Sequence, residues 1–298
     1  MSGVCVGGVE TGGSKTVCAI GSGPDDVRAE TCFPTTTPDE TFGRAAEFFR
    51  GHAARSRCAA VGIASFGPLD LDPGSPTAGF ITETPKPAWS RVDVAGTLGR
   101  ALSLPAVLDT DVNAAALAEN RWGAGIGHDP LVYVTVGTGI GGGAIVGGCV
   151  LHGLVHPEMG HMRVPRDASD GFAGACPFHG DCLEGLASGP AIQARRGLPG
   201  EALAVDDPVW ALEARYLALA LANVITVLSP RRIVLGGGVM RHPRLLDDVR
   251  REVQRVLAGY VRARAILDAI ETYIVGPRLG PRVGVLGALA LAQDRIGG

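Results

Sequence analysis

Two histidines and two cysteines lie at spacings that suit a metal ion. His161 is followed by Cys176 after fourteen intervening residues, and His179 and Cys182 follow at steps of three. Two imidazoles and two sulfurs fill a tetrahedral Zn2+ sphere and leave no open position, so the role is structural rather than catalytic. The surrounding stretch is rich in Gly and Pro, has little apolar material of its own, and needs the staple that zinc supplies. His156 competes with His161 for the first place but lacks the Gly160-His161 context.

Three glycine-rich turns are the second constellation. Gly8-Val9-Glu10-Thr11-Gly12-Gly13-Ser14-Lys15-Thr16 imitates a P-loop but carries Ser before its Lys, and the following Val17-Cys18-Ala19-Ile20 reads as a strand, where a P-loop opens a helix. Gly137-Thr138-Gly139-Ile140-Gly141-Gly142 fits G-x-G-x-x-G, yet a strand follows here too, against a Rossmann site. Both read as tight hairpins whose N–H groups and hydroxyls can converge on phosphate. Together with Gly236-Gly237-Gly238 after the apolar run ending at Leu235, they point to a nucleotide site. A carboxylate between a strand and a helix is well placed as a general base, and Asp109 and Asp111 both qualify. The competing role for either is to cap the helix that follows.

These groups need an α/β frame. Strands are expected at Val4–Val9, Thr16–Ile20, Ala59–Ala64, Ala106–Leu108, Leu131–Val136, Gly143–Val146 and Ile233–Leu235. Helices are expected near 38–55, 92–103, 113–121, 208–228, 243–259 and 284–295. The first has Thr37 as N-cap, Pro38 at N1, Glu40 at N3 and a stripe of Phe42, Ala45, Ala46 and Phe49. Leu246, Val249, Val253, Val256 and Tyr260 are expected on one face of the helix over 243–259. Residues 65–90 read as a long loop in which Phe80, Lys86 and Trp89 edge the site, Trp89 having core packing as its alternative. The segments near 4–20 and 131–150 repeat one pattern, strand, Gly/Thr turn, strand. The Gly-rich residues 123–130 read as a linker that can act as a hinge.

The chain has 298 residues, 46% of them hydrophobic and 19% charged, which supports two domains. A net charge of −3 excludes a mainly electrostatic grip on nucleic acid. Lys15 and Lys86 are the only lysines among 27 basic residues. No apolar run is expected to reach the ~18–20 residues of a membrane span, and Met1-Ser2-Gly3-Val4-Cys5 has no basic n-region, so neither a signal peptide nor a membrane partner is expected. Seven cysteines, an odd number, suit a reduced cytoplasm with one metal site better than a disulfide framework.

The motifs taken together resemble the ROK family of sugar kinases in the actin/hexokinase-like ATPase superfamily. Gly8–Lys15 resembles its first phosphate motif, Val134–Gly143 the second, Val234–Val239 its adenosine motif, and Glu158-Met159-Gly160-His161 with Cys176…Cys182-Leu183-Glu184 its family motif. Phe66–Leu71, Gly79–Trp89 and Leu108–Asn113 resemble its fructokinase branch, where Thr110 stands in place of the Asn more common in glucokinases. The family's repressors carry an N-terminal helix-turn-helix, whereas this chain opens on the first phosphate strand. The resemblance implies two actin/hexokinase-like, ribonuclease H-like α/β domains around a central cleft. One would span 1–112 with the helix 284–298 packed back on it, and the other 113–283 with the zinc site. It implies ATP-dependent phosphorylation of D-fructose, with a mannokinase, a broad-specificity hexokinase or a non-catalytic sugar sensor as alternatives. It selects Asp111 as base and Glu158, His161, Glu184 and Thr110 as sugar ligands. The nucleotide ligands it implies are Glu10, Thr11, Gly12, Gly13, Ser14, Lys15, Thr16, Thr135, Gly137, Thr138, Gly139, Gly236, Gly237 and Gly238. Glu10 would orient the waters of Mg2+, His161 would serve zinc and sugar at once, and the enzyme would be a cytoplasmic homodimer.

Overall fold

The protein builds two sheets on one plan. The structure, a computed structural model, describes residues 4–54 and 56–297. The expected opening at residues 1–3, the end of the helix over 38–55 and residue 298 of the last helix lie outside the described residues. The chain divides into one unit of Met1–Gly123, Val150–Pro157 and Leu279–Gly298, and another of Ala124–Cys149 and Glu158–Arg278. The boundary therefore falls after Gly123 rather than after residue 112, and 150–157 joins the first unit. The helix that opens at Asp111 is part of the first unit because it lies hard against the C-terminal helix Val283–Gly297, where a Cβ on Gly287 would collide with Ala114 O.

In the first unit, β1 (Val6–Thr11), β2 (Lys15–Gly23) and β3 (Asp26–Pro34) form an antiparallel meander. There follow α1 (Pro38–His52), β4 (Val61–Ser65), the short pair β5 (Phe80–Ile81) and β6 (Val92–Asp93), α2 (Val94–Leu102), β7 (Ala106–Thr110) and α3 (Asp111–Trp122). The strand order is β3-β2-β1-β4-β7, with β1, β4 and β7 parallel. Side chains alternate between the faces of the sheet. Cys18 and Ile20 pack with Phe42, Phe49 and Trp89 on one side, and Val17 and Ala19 with Val285 and Leu289 on the other. The stripe of α1 is as the spacing predicts, Phe42, Ala45, Ala46 and Phe49 being buried. Each buried phenylalanine there contributes about 1.5–3 kcal/mol. Thr37 caps α1, accepting from Glu40 N at 3.4 Å, while the Glu40 carboxylate accepts from the Thr36 hydroxyl. The C-terminal helix reaches the sheet because Gly62 of β4 has no side chain: a Cβ there would collide with Ala288 O.

The second unit repeats the plan. Its strands are β8 (Leu131–Val136), β9 (Ile140–Val146), β10 (Cys149–Val150), β11 (Arg232–Gly236) and β12 (Ile274–Val275), ordered β10-β9-β8-β11-β12. Here β8 pairs antiparallel with β9 and parallel with β11, as β1 does with β2 and β4. Its helices include α4 (Leu183–Ala187), α5 (Gly189–Arg196), α6 (Val209–Leu228) and α7 (Leu245–Leu257). By length and composition alone α6 would cross a bilayer, with a mean hydropathy of 1.5 over its apolar window, although Glu213 and Arg215 interrupt its run. Just over half of that window, 56%, is buried inside the protein, as in the core helix of a globular domain. On α7, Val249 and Val253 are buried as expected, but Tyr260 is 88% exposed. The helix has already ended at Leu257, where Ala258 turns left-handed with φ 49°.

Candidate active site

The register of the first sheet collects the chemistry on one edge. Thr11, Ser65 and Thr110, the last residues of three neighbouring parallel strands, stand side by side. Ligands of open α/β sheets bind beyond the carboxyl ends of such strands. The first glycine turn leaves β1 there, and Asp111 follows β7 there. In the turn, Gly13, Ser14 and Lys15 are exposed, whereas Thr11 and Thr16 are wholly buried. Thr16 shares a hydroxyl hydrogen bond with Thr35 at 2.8 Å. The tip, rather than these two expected threonines, is therefore the part a phosphate can reach. Burial pushes the Glu10 carboxyl up from its ordinary value, opposed by Lys15 and by the Val285 N–H. Its Oε2 is buried with no hydrogen-bond partner among the described residues. An orphaned carboxylate oxygen at a strand end fits a hydrated cation such as Mg2+.

Asp109 and Asp111 divide their work. Asp109 is 4% exposed. Its Oδ1 accepts from Thr110 N at 2.7 Å and from Asn113 Nδ2 at 2.8 Å, and its Oδ2 from His152 Nε2 at 2.9 Å. A carboxylate so engaged is a scaffold. Asp111 is half-buried, and its Oδ1 accepts from Val112 N at 2.9 Å. Neither aspartate caps α3: Thr110 does, its hydroxyl accepting from Asn113 N at 3.1 Å. Thr110 is 3% exposed, so its hydroxyl serves the helix rather than lying open to a sugar. His156 lies against Asn113, with Nδ1 3.2 Å from Nδ2, and is not one of the four residues that could hold a metal. The Asp109 hydrogen bond raises the His152 pKa from its ordinary value, against the pull of burial.

In the second unit, Glu184 joins the glycine turn to the cysteine segment. Its Oε2 accepts from Ile140 N at 2.9 Å, and a Cβ on Gly139 would sit 2.7 Å from that oxygen. The turn is closed by Gly137 N donating to Gly139 O at 2.8 Å and is held by Gly189 N, which donates to Gly137 O at 2.8 Å. Thr138 is exposed and Thr135 half-buried. Gly236 of β11 pairs with Thr135 of β8, which brings Gly236–Gly238 beside the Gly137 turn. Gly237 has φ +101°, and a Cβ there would collide with the backbone of Val136, so only glycine lets the two turns lie this close. Glu158 lies near both His161 and Glu184. Its carboxyl is raised by partial burial and by the Glu184 charge, with His161 opposing.

The ligand atoms of His161, Cys176, His179 and Cys182 lie within 4.8 Å of one another. His161 Nδ1 is 3.4 Å from Cys182 Sγ and 3.8 Å from Cys176 Sγ, and His179 Nδ1 is 3.7 Å from Cys176 Sγ. Tetrahedral Zn–N and Zn–S bonds of about 2.1 and 2.3 Å set such edges near ~3.5–3.8 Å, so the donor set fits zinc. The Cys176–Gly180 turn is closed by two backbone bonds of 2.9 and 3.1 Å.

Two contributors carry weak sequence signals. His152 is 43 residues from its partner Asp109, and no local pattern links them. Lys86, expected only at the edge of the site, donates to Gly13 O at 2.6 Å, a contact 73 residues apart that no local spacing links. Trp89 is core: it is fully buried, packs edge-on against Phe42 and Phe66, and donates from Nε1 to Thr36 O at 2.7 Å.

Residues 6–295 match the ROK family. The chain is 45% identical over 296 residues to a fructokinase of Zymomonas mobilis, covering 96% of this chain and 95% of the relative. A ROK hexokinase structure from Thermus thermophilus superposes with a TM-score of 0.82 at 28% identity, covering 99% of each chain. A ROK glucokinase from Streptomyces griseus in complex with glucose and AMPPNP has a TM-score of 0.75 at 26% identity, covering 97% of this chain and 99% of that one. With the repeated sheets, the three glycine turns and the Cys/His cluster all in place, the chain belongs to the ROK family of the actin-like ATPase fold.

Proposed function

We propose that this protein is a hexose kinase that transfers the γ-phosphoryl group of ATP to the 6-hydroxyl of D-fructose. The observation that carries the reading is the shared edge of β1, β4 and β7, where a phosphate-type turn and the half-buried carboxylate of Asp111 leave the same parallel strands. The 45% identity to a fructokinase supports fructose, and the AMPPNP-bound glucokinase supports a nucleoside triphosphate donor. Asp111 accepts the proton of the attacking hydroxyl. Backbone N–H groups of the turns at Gly12–Lys15 and Gly137–Gly139 meet phosphate oxygens, and Gly236–Gly238 borders the adenosine. Glu158, His161 and Glu184 accept or donate to sugar hydroxyls. Mg2+, through waters oriented by Glu10, would offset charge on the phosphates. His161 turns Nδ1 toward the cysteine sulfurs, so zinc held there would fix the ring and aim its other nitrogen. Homodimeric assembly and a cytoplasmic location belong to the same reading, with the family resemblance as their support. Coupled ADP release over fructose, mannose, glucose and N-acetylmannosamine tests it. Fructose should give the highest kcat/KM, whereas a preference for mannose or glucose, or no turnover at all, would overturn it.

A further inference from the structure

Arginine supplies all but two of the 27 Lys and Arg residues, yet Lys15 and Lys86 both meet at the turn between β1 and β2. Lys86 comes from the long loop after β4. Its Nζ donates to Gly13 O at 2.6 Å and to Thr35 O, just past β3, at 3.3 Å. The next carbonyls of the turn are also engaged: Ser14 O accepts from Thr35 N at 3.0 Å and Lys15 O from Gly12 N at 2.9 Å. Three successive carbonyls thus accept from within the unit. In a trans peptide the N–H points opposite to the C=O. With Gly13 O held toward Lys86, the Ser14 N–H is turned away from it, on a tip where Gly13, Ser14 and Lys15 are all exposed. Backbone N–H groups that point outward from such a turn make an anion-binding concavity, and the Ser14 N–H is placed to contribute one.

We propose that Lys86 is a positioning residue for the phosphates of the nucleotide. Its ammonium fixes the Gly13–Ser14 peptide so that the turn is set for the anion before the nucleotide arrives. The proposal rests on the reading of this turn as phosphate-binding. The site calls for lysine: a compact ammonium with three donors meets carbonyls arriving from two directions, whereas the planar guanidinium suits paired, parallel acceptors. The loop does not depend on Lys86 for its anchorage, because the fully buried Trp89 holds it through Thr36 O.

The test uses the full-length, zinc-loaded protein and the variants Lys86→Met and Lys86→Arg. It reads KM for ATP and for fructose, and the amide resonances of Gly13 and Ser14 with and without AMPPNP or AMP. In the wild type both amides should shift with AMPPNP and stay put with AMP. Lys86→Met should raise KM for ATP by about tenfold, the scale of one hydrogen bond to a charged group. It should leave KM for fructose unchanged and displace both amides before any nucleotide is added. Lys86→Arg should recover only part of the ATP affinity. Lys86→Met with normal KM for ATP and unmoved amides would overturn the role of Lys86 while leaving the turn's reading intact. Wild-type amides that ignore AMPPNP would overturn the reading of the turn, and the role of Lys86 with it.

Discussion

Glu184 Oε2 accepts a hydrogen bond from the Ile140 N–H at 2.9 Å. One carboxylate, two residues past Cys182, thereby fixes the end of the second glycine turn and stands beside Glu158. On the proposed reading, a sugar ligand and a support for a nucleotide turn are combined in one side chain. The two duties separate on mutation. Glu184→Gln keeps a carbonyl oxygen for Ile140 N, so KM for ATP should stay near normal while KM for fructose rises about tenfold, on the scale of a charged hydrogen bond. Glu184→Ala removes both contacts and should raise both constants. Steady-state kinetics of the pair decide it, and equal effects of the two variants on ATP would mean that the Ile140 contact does not set the turn.

Asp109 and Asp111 should part company in the same way. Asp111→Asn should fold normally, retain fructose binding and lose at least ~10²-fold in kcat, the low end for a positioned base. Asp109→Asn places an amide donor where His152 already donates, in a site 4% exposed. That should cost about 1–3 kcal/mol of stability, visible as an earlier melt. If Asp109→Asn abolished turnover without a change in melting while Asp111→Asn worked normally, the base would be Asp109.

Periodicity was informative where one face is apolar and the partner is local. The stripe Phe42, Ala45, Ala46 and Phe49 marks α1, and the close steps from Cys176 to Cys182 mark the metal cluster. The strand β3 has little apolar burial to mark it: every residue of Asp26–Pro34 except Phe33 is half or fully exposed, as suits the outer strand of the sheet. The cap of α3 fell to Thr110 rather than to an aspartate because Asp109 is drawn into a network with His152, which arrives from another part of the chain. Tyr260 fitted the spacing of α7, but the left-handed Ala258 ends the helix before it. Tertiary partners decided each of these positions, and spacing does not encode them.

Zinc should be present at about one atom per chain in protein purified without chelator. Cys176→Ser and Cys182→Ser should each lose the metal and melt earlier, because both cysteines are buried in a segment of loops and short helices that the metal would staple. Without metal, burial pushes the Cys182 thiol up to about 11, so binding must expel its proton. Metal should therefore be released as pH falls. Elemental analysis and a chromogenic zinc indicator during acid titration check both points, and metal-free protein of unaltered stability would remove the site.

His152 gives a pH dependence of opposite sign to that of a depressed carboxylate. Its hydrogen bond to Asp109 raises its folded pKa above the ordinary histidine value, which is near ~6.5 in the unfolded chain. The folded protein then holds the proton more tightly than the unfolded one. The resulting stabilisation is complete below the unfolded value and is lost as pH rises through the folded value. His152→Gln abolishes this term while keeping an amide that can donate to Asp109. The gap in melting temperature between wild type and variant should be widest near about pH 6 and should narrow toward about pH 9. Some gap should persist at high pH, because neutral His152 still donates from Nε2. The effect should be modest, since the side chain is 42% exposed and water screens the pair. Taking the difference between two zinc-saturated proteins cancels the titration of the Cys/His cluster, which both share. A gap that is flat or widens with pH would show that the Asp109–His152 pair does not hold its proton in this way.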